Sequence, residues 1–168
     1  MPAPLPHANT ARRTPPQPSA GSGPGDGVPK NVLKAAADGC VGPVRLWLNE
    51  GGKADTLFNA ESQDGRTCTL LIFSAKAGHA QTVELLLKRG ADINLQNGRA
   101  NTALNTAAYY GHERVVDGLL QQGAEIDSQD SAWPALTAAA QGGQERVVDL
   151  LLRRGAEIDL QDRNGCTA

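Results

Sequence analysis

The apolar residues of this chain fall into a pattern that recurs four times. Glycine pairs twelve residues apart (Gly39 and Gly51, Gly78 and Gly90, Gly111 and Gly123, Gly143 and Gly155) bracket stretches with apolar side chains at matching offsets. These are Val44, Trp47 and Leu48; Val83, Leu86 and Leu87; Val116, Leu119 and Leu120; and Val148, Leu151 and Leu152. The i, i+3, i+4 spacing puts each trio on one stripe of a helix. The second glycine then supplies the left-handed conformation in which the chain turns away. Upstream of each first glycine the spacing predicts a second, shorter helix: Val32, Ala35 and Ala36; Leu71, Ser74 and Ala75; Leu104, Ala107 and Ala108; Leu136, Ala139 and Ala140. Small residues at the later positions let the two helices approach near the lower end of the roughly 8–10 Å interaxial range. The first glycines step by 39, 33 and 32 residues, so the period is close to 33, with an insertion of six after the first copy and a deletion of one before the last.

One antiparallel helix pair cannot cover its own apolar stripe, so neighbouring pairs must stack. The expected fold is all-α, a solenoid with a thin continuous core. The period, the pairs Gly78-His79 and Gly111-His112, the Val-x-x-Leu-Leu stripes, and the segments Gly90-Ala91-Asp92-Ile93-Asn94, Gly123-Ala124-Glu125-Ile126-Asp127 and Gly155-Ala156-Glu157-Ile158-Asp159 together resemble the ankyrin repeat. The resemblance covers residues 30–168. It implies four repeats, at about 30–63, 64–96, 97–129 and 130–161, with β-hairpin loops projecting at right angles to the helix pairs, and it implies protein recognition.

The chain departs from the family pattern at several places. The Thr-Pro-Leu-His start of the first helix is matched by Thr69-Leu70-Leu71-Ile72, Thr102-Ala103-Leu104-Asn105 and Pro134-Ala135-Leu136-Thr137, none with both proline and histidine in place. Those helix starts are expected to be less firmly fixed than in an ideal repeat. Gly118 stands inside the second helix of the third copy, where glycine costs about 1 kcal/mol relative to alanine. Residues 162–168 read as the turn opening a fifth repeat, which would leave the apolar outer face of the fourth copy uncovered. That points to a piece of a longer protein, or to a partner covering the face. Asp38, Arg45 and Glu50 suit the first copy to an N-terminal cap, and the insertion from Lys53 to Gln63 is expected as a loop.

Composition narrows the function classes. Residues 1–29 hold eight of the ten prolines and a Gly/Ser tract from Gly21 to Gly27, and are expected to be a disordered tail. A formal net charge of −2 supplies none of the positive excess that nucleic-acid or anionic-membrane binding exploits. No run approaches the ~20 apolar residues of a membrane span. Cys40, Cys68 and Cys166 are widely separated and form no Cys-x-x-Cys pair, which fits reduced thiols. An intracellular protein is expected, cytoplasmic in preference to nuclear.

No catalytic motif stands out, and no cofactor or metal is implied. His79 and His112 occupy equivalent places one period apart, so they read as structural repeats of one another rather than ligands converging on one ion. Asp92, Glu125 and Glu157 recur at one hairpin position, which favours solvation or turn-making. The resemblance instead places a concave contact surface on the hairpin tips and the exposed side of the first helices: Gly65, Arg66, Cys68, Lys76 and Ala77 in the second copy, Gly98, Arg99, Asn101, Tyr109 and Tyr110 in the third, Trp133, Gln141 and Gly142 in the fourth. Tyr, Trp and Arg are enriched at binding hot spots. Each aromatic has a second reading, in which Tyr109 and Tyr110 cover a helix junction and Trp133 packs beneath a turn. Trp47 and Phe73 fall on core positions. The resemblance also implies that Asn94 can be hydroxylated by an asparaginyl hydroxylase. A protein-binding scaffold, monomeric unless the outer face of the last copy pairs, is the expected function; the alternative is the targeting or regulatory part of a longer signalling enzyme, a kinase or ubiquitin-ligase component.

Overall fold

The computed structural model describes residues 27–59, 67–128, 131, 133–162 and 165–168. Among them run α1 (Lys30–Ala37), α2 (Val41–Asn49), β1 (Phe58–Asn59), β2 (Thr67–Cys68), α3 (Leu70–Lys76), α4 (Ala80–Lys88), α5 (Ala103–Tyr109), α6 (Glu113–Gln121), α7 (Ala135–Gln141) and α8 (Glu145–Arg153). The helices form four pairs. The first helices α1, α3, α5 and α7 pack in chain order as one layer, and the second helices α2, α4, α6 and α8 pack in the same order as another.

Burial follows the stripes. Leu71, Leu104 and Leu136, with Leu86, Leu119 and Leu151 from the second helices, are fully buried or nearly so. The two flanks of each second helix face different neighbours. Thr82, Val115 and Val147 are buried on the flank toward the preceding pair, whereas Pro43 at the equivalent place in the first pair is exposed. In the first helices Ala36, Ala75 and Ala108 are fully buried, whereas Ala140 of α7, expected in the core with them, is exposed, and on α8 Leu152 is 39% exposed. Both sit where a further pair covers the earlier copies.

Helix starts are better held than the missing proline and histidine suggested. Thr69 and Thr102 cap α3 and α5, each hydroxyl accepting from the backbone N–H three residues on, Ile72 and Asn105, at 3.3 Å. Pro29 and Pro134 take the same place on α1 and α7 and cap nothing with their side chains. Residues 1–26 of the proline-rich segment lie outside the described residues; Val28, expected in the tail, is buried in the core. Trp47 and Phe73 pack against the core half-buried, Phe73 edge-on to Phe58 at 5.7 Å.

The insertion is more ordered than a plain loop at its base: β1 and β2 pair antiparallel, Phe58 opposite Cys68 and Asn59 opposite Thr67. Residues 60–66 lie outside the described part. Between the second and third pairs the chain makes a tight turn, Asn97 N–H to Asn101 O at 3.0 Å, with Gly98 N–H reaching Thr67 O at 3.1 Å. Asp162 N–H donates to Cys166 O at 2.8 Å, the same turn two repeats later.

Two ladders of polar contacts run along the stack. In the first, His79 Nε2 lies 2.6 Å from Ala37 O and His112 Nε2 2.8 Å from Lys76 O, and Gln144 Nε2 donates to Tyr109 O at 3.3 Å. Each ring sits against the glycine closing the previous first helix. Gly78 has φ +77°, and a Cβ there would stand 2.6 Å from His112 Nδ1, so both conformation and space require glycine. In the second ladder Asp55, Asn94 and Asp127 each accept from the backbone N–H of the next copy's loop: Asp92 at 2.9 Å, Glu125 at 3.1 Å and Glu157 at 3.2 Å.

Candidate partner-binding surface

The end of α5 and the approach to α7 bring together side chains that lie far apart in sequence. Lys76, Tyr109 and Gln141 close α3, α5 and α7 at equivalent positions and form one column across the first-helix layer. Ala77, Tyr110 and Gly142 form the next column, and Gly142 has no room for a side chain because Tyr109 O occupies the space of a Cβ. Tyr109 and Tyr110 are 37% and 44% exposed. Their rings meet edge-on at 5.2 Å, Tyr109 lies 6.0 Å from the Trp133 ring, and Tyr110 stacks on His112 at 6.4 Å. The Lys76 ammonium stands 5.4 Å over the face of Tyr110, within cation–π reach.

Trp133 carries both of its sequence readings. It packs half-buried against the core, and its ring remains beside Tyr109. Its position is fixed through its backbone: Trp133 O accepts from Asn105 Nδ2 at 3.1 Å and from the Ser131 hydroxyl at 2.8 Å. Asn105, buried at the place of the family's histidine, and Ser131 therefore support the cluster. Neither was singled out from the sequence, although asparagine within an otherwise apolar helix was a visible signal.

The remaining expected contact residues are distributed around this cluster. Arg99 is exposed on the tight turn, its backbone N–H donating to Asn97 Oδ1 at 2.8 Å. Asn101 is half-buried and uses its backbone in the same turn. Gln141 is exposed at the end of α7. Arg66 and Gly65 lie outside the described residues. Cys68 does not belong on the surface: it is buried at the base of the β1–β2 hairpin with its Sγ 3.4 Å from Thr69 O. Burial pushes its thiol up to about 11, so it stays protonated at neutral pH. Strand alternation turns it inward while Thr67 is left half-buried.

Asn94 is half-buried in the loop ladder. Its side-chain oxygen accepts from Glu125 N–H, and its own N–H donates to Asp92 Oδ1 at 3.0 Å. The acids at the recurring hairpin position all contribute backbone donors to the ladder, and the Asp92 carboxylate adds the turn contact to Asn94 N–H. Among the described residues no group of His, Cys, Asp or Glu is placed to hold a metal ion, and no helix is long and apolar enough to cross a membrane.

Comparison with known families agrees with this architecture. The family model described as ankyrin repeats (3 copies) matches residues 32–130, and the one described as ankyrin repeat matches residues 133–163. No curated protein matches the chain significantly. Four helix pairs at a period near 33, glycine turns of positive φ and a family match across more than half its length place one conclusion on the chain: it belongs to the ankyrin-repeat family, whose members are generally protein–protein interaction modules and typically not enzymes.

Proposed function

We propose that this protein binds a partner protein through the hairpin tips and the exposed ends of its first helices, with Tyr109, Tyr110 and Trp133 at the centre of the contact. Lys76, Arg99, Asn101 and Gln141 surround the aromatics, and Arg66 extends the surface on the strength of its repeat position alone. The observation that carries this reading is the clustering of three aromatic rings at one level of the stack, two of them more than a third exposed, in a chain whose aromatic content is 4%. A solvent-facing aromatic group of this kind costs hydration that burial against a partner recovers. The test is the triple variant Tyr109→Ala, Tyr110→Ala, Trp133→Ala. Partner binding is expected to fall at least tenfold, since each hot-spot truncation costs about 1–2 kcal/mol or more, while helical content by circular dichroism stays near that of the parent. Unchanged affinity with intact helices removes this surface from consideration.

Asn94 is proposed as a site of asparaginyl hydroxylation, on the resemblance of its repeat position. Its amide takes part in the loop ladder, so modification requires that loop to open locally. Mass spectrometry of protein recovered from cells decides it, and a consistently unmodified Asn94 ends the idea.

A further inference from the structure

The charges of the two helix layers differ, and the difference bears on what the aromatic surface receives. The four first helices contain Lys30, Lys34 and Lys76 and no Asp or Glu, whereas the second helices mix Glu84, Glu113, Asp117, Glu145 and Asp149 with a similar number of bases. The chain as a whole is slightly acidic, so this distribution does not follow from composition. Lys76 makes no ion pair among the described residues, and its ammonium is stationed over Tyr110 instead. Among the described residues at the ends of the first helices only Asp38, which caps α1 one copy before Lys76, carries a carboxylate.

From this we infer that the partner's contacting segment is acidic, with Asp or Glu side chains standing among apolar or aromatic ones. The inference rests on the aromatic surface proposed above and specifies its partner. A ring face already occupied by a lysine resists a second cation, and the same lysine offers three donors to a carboxylate. The aromatics take the apolar side chains, so the segment is read by both halves of the surface, and like-charged segments are rejected. Single-stranded nucleic acid also combines negative charge with stacking faces, but it needs a continuous basic groove. Here Lys76 and Arg99 are the cations among the described residues of the surface, and the net charge of the chain is −2.

The test uses a random peptide display library, panned on the full chain and counter-selected on the Tyr109, Tyr110, Trp133 triple alanine variant. Peptides retained by the parent alone are expected to be enriched in Asp and Glu relative to the input library. A synthetic peptide from that pool should bind more weakly, by about fivefold to tenfold, to Lys76→Glu than to the parent, with a similar loss when its acids are replaced by Asn and Gln. A pool no more acidic than the input, or a peptide indifferent to both changes, overturns the acidic partner while leaving the aromatic surface standing. Failure to retain any peptide against the triple variant removes the surface and the inference together. A labelled oligothymidine binding more tightly than the selected peptides overturns the assignment in favour of nucleic acid.

Discussion

Thr82 is the most informative residue to perturb, because the array supplies its own controls. Its side chain is fully buried on the flank of α4, and its hydroxyl has no hydrogen-bond partner. Val115 and Val147 stand at the same place in the next two pairs, also buried. A hydroxyl buried without a partner costs about 1–3 kcal/mol in proteins, and the methyl that replaces it in Thr82→Val gains a further fraction of the ~0.8 kcal/mol of a buried methylene. Threonine and valine have nearly equal helix propensity, so that contribution cancels. After allowance for the slightly larger methyl in a packed site, the net gain is about 1–2 kcal/mol. Urea denaturation followed by circular dichroism should show the midpoint rising with an unchanged slope, and melting should shift up by roughly 3–6 °C. The matched control is Thr69→Val, the same atomic exchange at a threonine whose hydroxyl caps α3, which should cost about 1 kcal/mol. A midpoint for Thr82→Val at or below that of the parent, with the slope unchanged, refutes the reasoning from the orphaned hydroxyl.

The further predictions concern glycine and cysteine. Gly118→Ala should stabilise by about 1 kcal/mol in the same urea assay, because the residue lies in α6 with nothing near a new Cβ, while Leu46, Leu85 and Leu150 occupy its place in the other copies. Gly78→Ala should destabilise by roughly 2–4 kcal/mol, combining the left-handed backbone penalty with displacement of the His112 ring. Gly123→Ala, with φ +90° and open space around the Cβ, should cost only the backbone part of that sum, and equal losses at both sites would discount the ring. At pH 8 a short exposure to iodoacetamide should label Cys40 and Cys166 while sparing Cys68, as read by peptide mass spectrometry. Because burial raises the folded-state value of Cys68 from 9.0 to about 11, its contribution to stability is complete below pH 9 and lost as pH rises towards 11. Cys68→Ala should lack that part of the alkaline decline.

The helix pairs were legible in the sequence because their signals are local. Apolar residues at i, i+3 and i+4 define a stripe wherever the helix lies, and the glycines that close the helices, such as Gly78 and Gly123, have positive φ as their positions required. Features set by neighbours were harder to read. Ala140 has the same sequence context as Ala75 and Ala108, and its exposure depends on what packs against its copy. The strands Phe58–Asn59 and Thr67–Cys68 are two residues each, too short for alternation to register, so the inward turn of Cys68 was missed with them. The recurrence of Asp55, Asn94 and Asp127 four residues after the second glycine was present in the chain, but the acceptor role of these side chains needs the next loop brought alongside. Tyr109 and Trp133 could each be placed by repeat position, whereas their meeting at 6.0 Å is a product of stacking α5 on α7.

The histidine ladder also sets how tension travels through the molecule. Each rung spans a single boundary, so a load applied at one end is handed from joint to joint with nothing to share it across the span. At the joint between the third and fourth pairs a glutamine at 3.3 Å replaces the imidazole, but Asn105 and the Arg154–Asp117 ion pair also cross that boundary and α5 packs more extensively on α7 than α1 does on α3, so the joint between the first and second pairs is the weaker link. Pulled from its ends, the stack should shed its first pair first and keep the aromatic-bearing third pair seated between its neighbours.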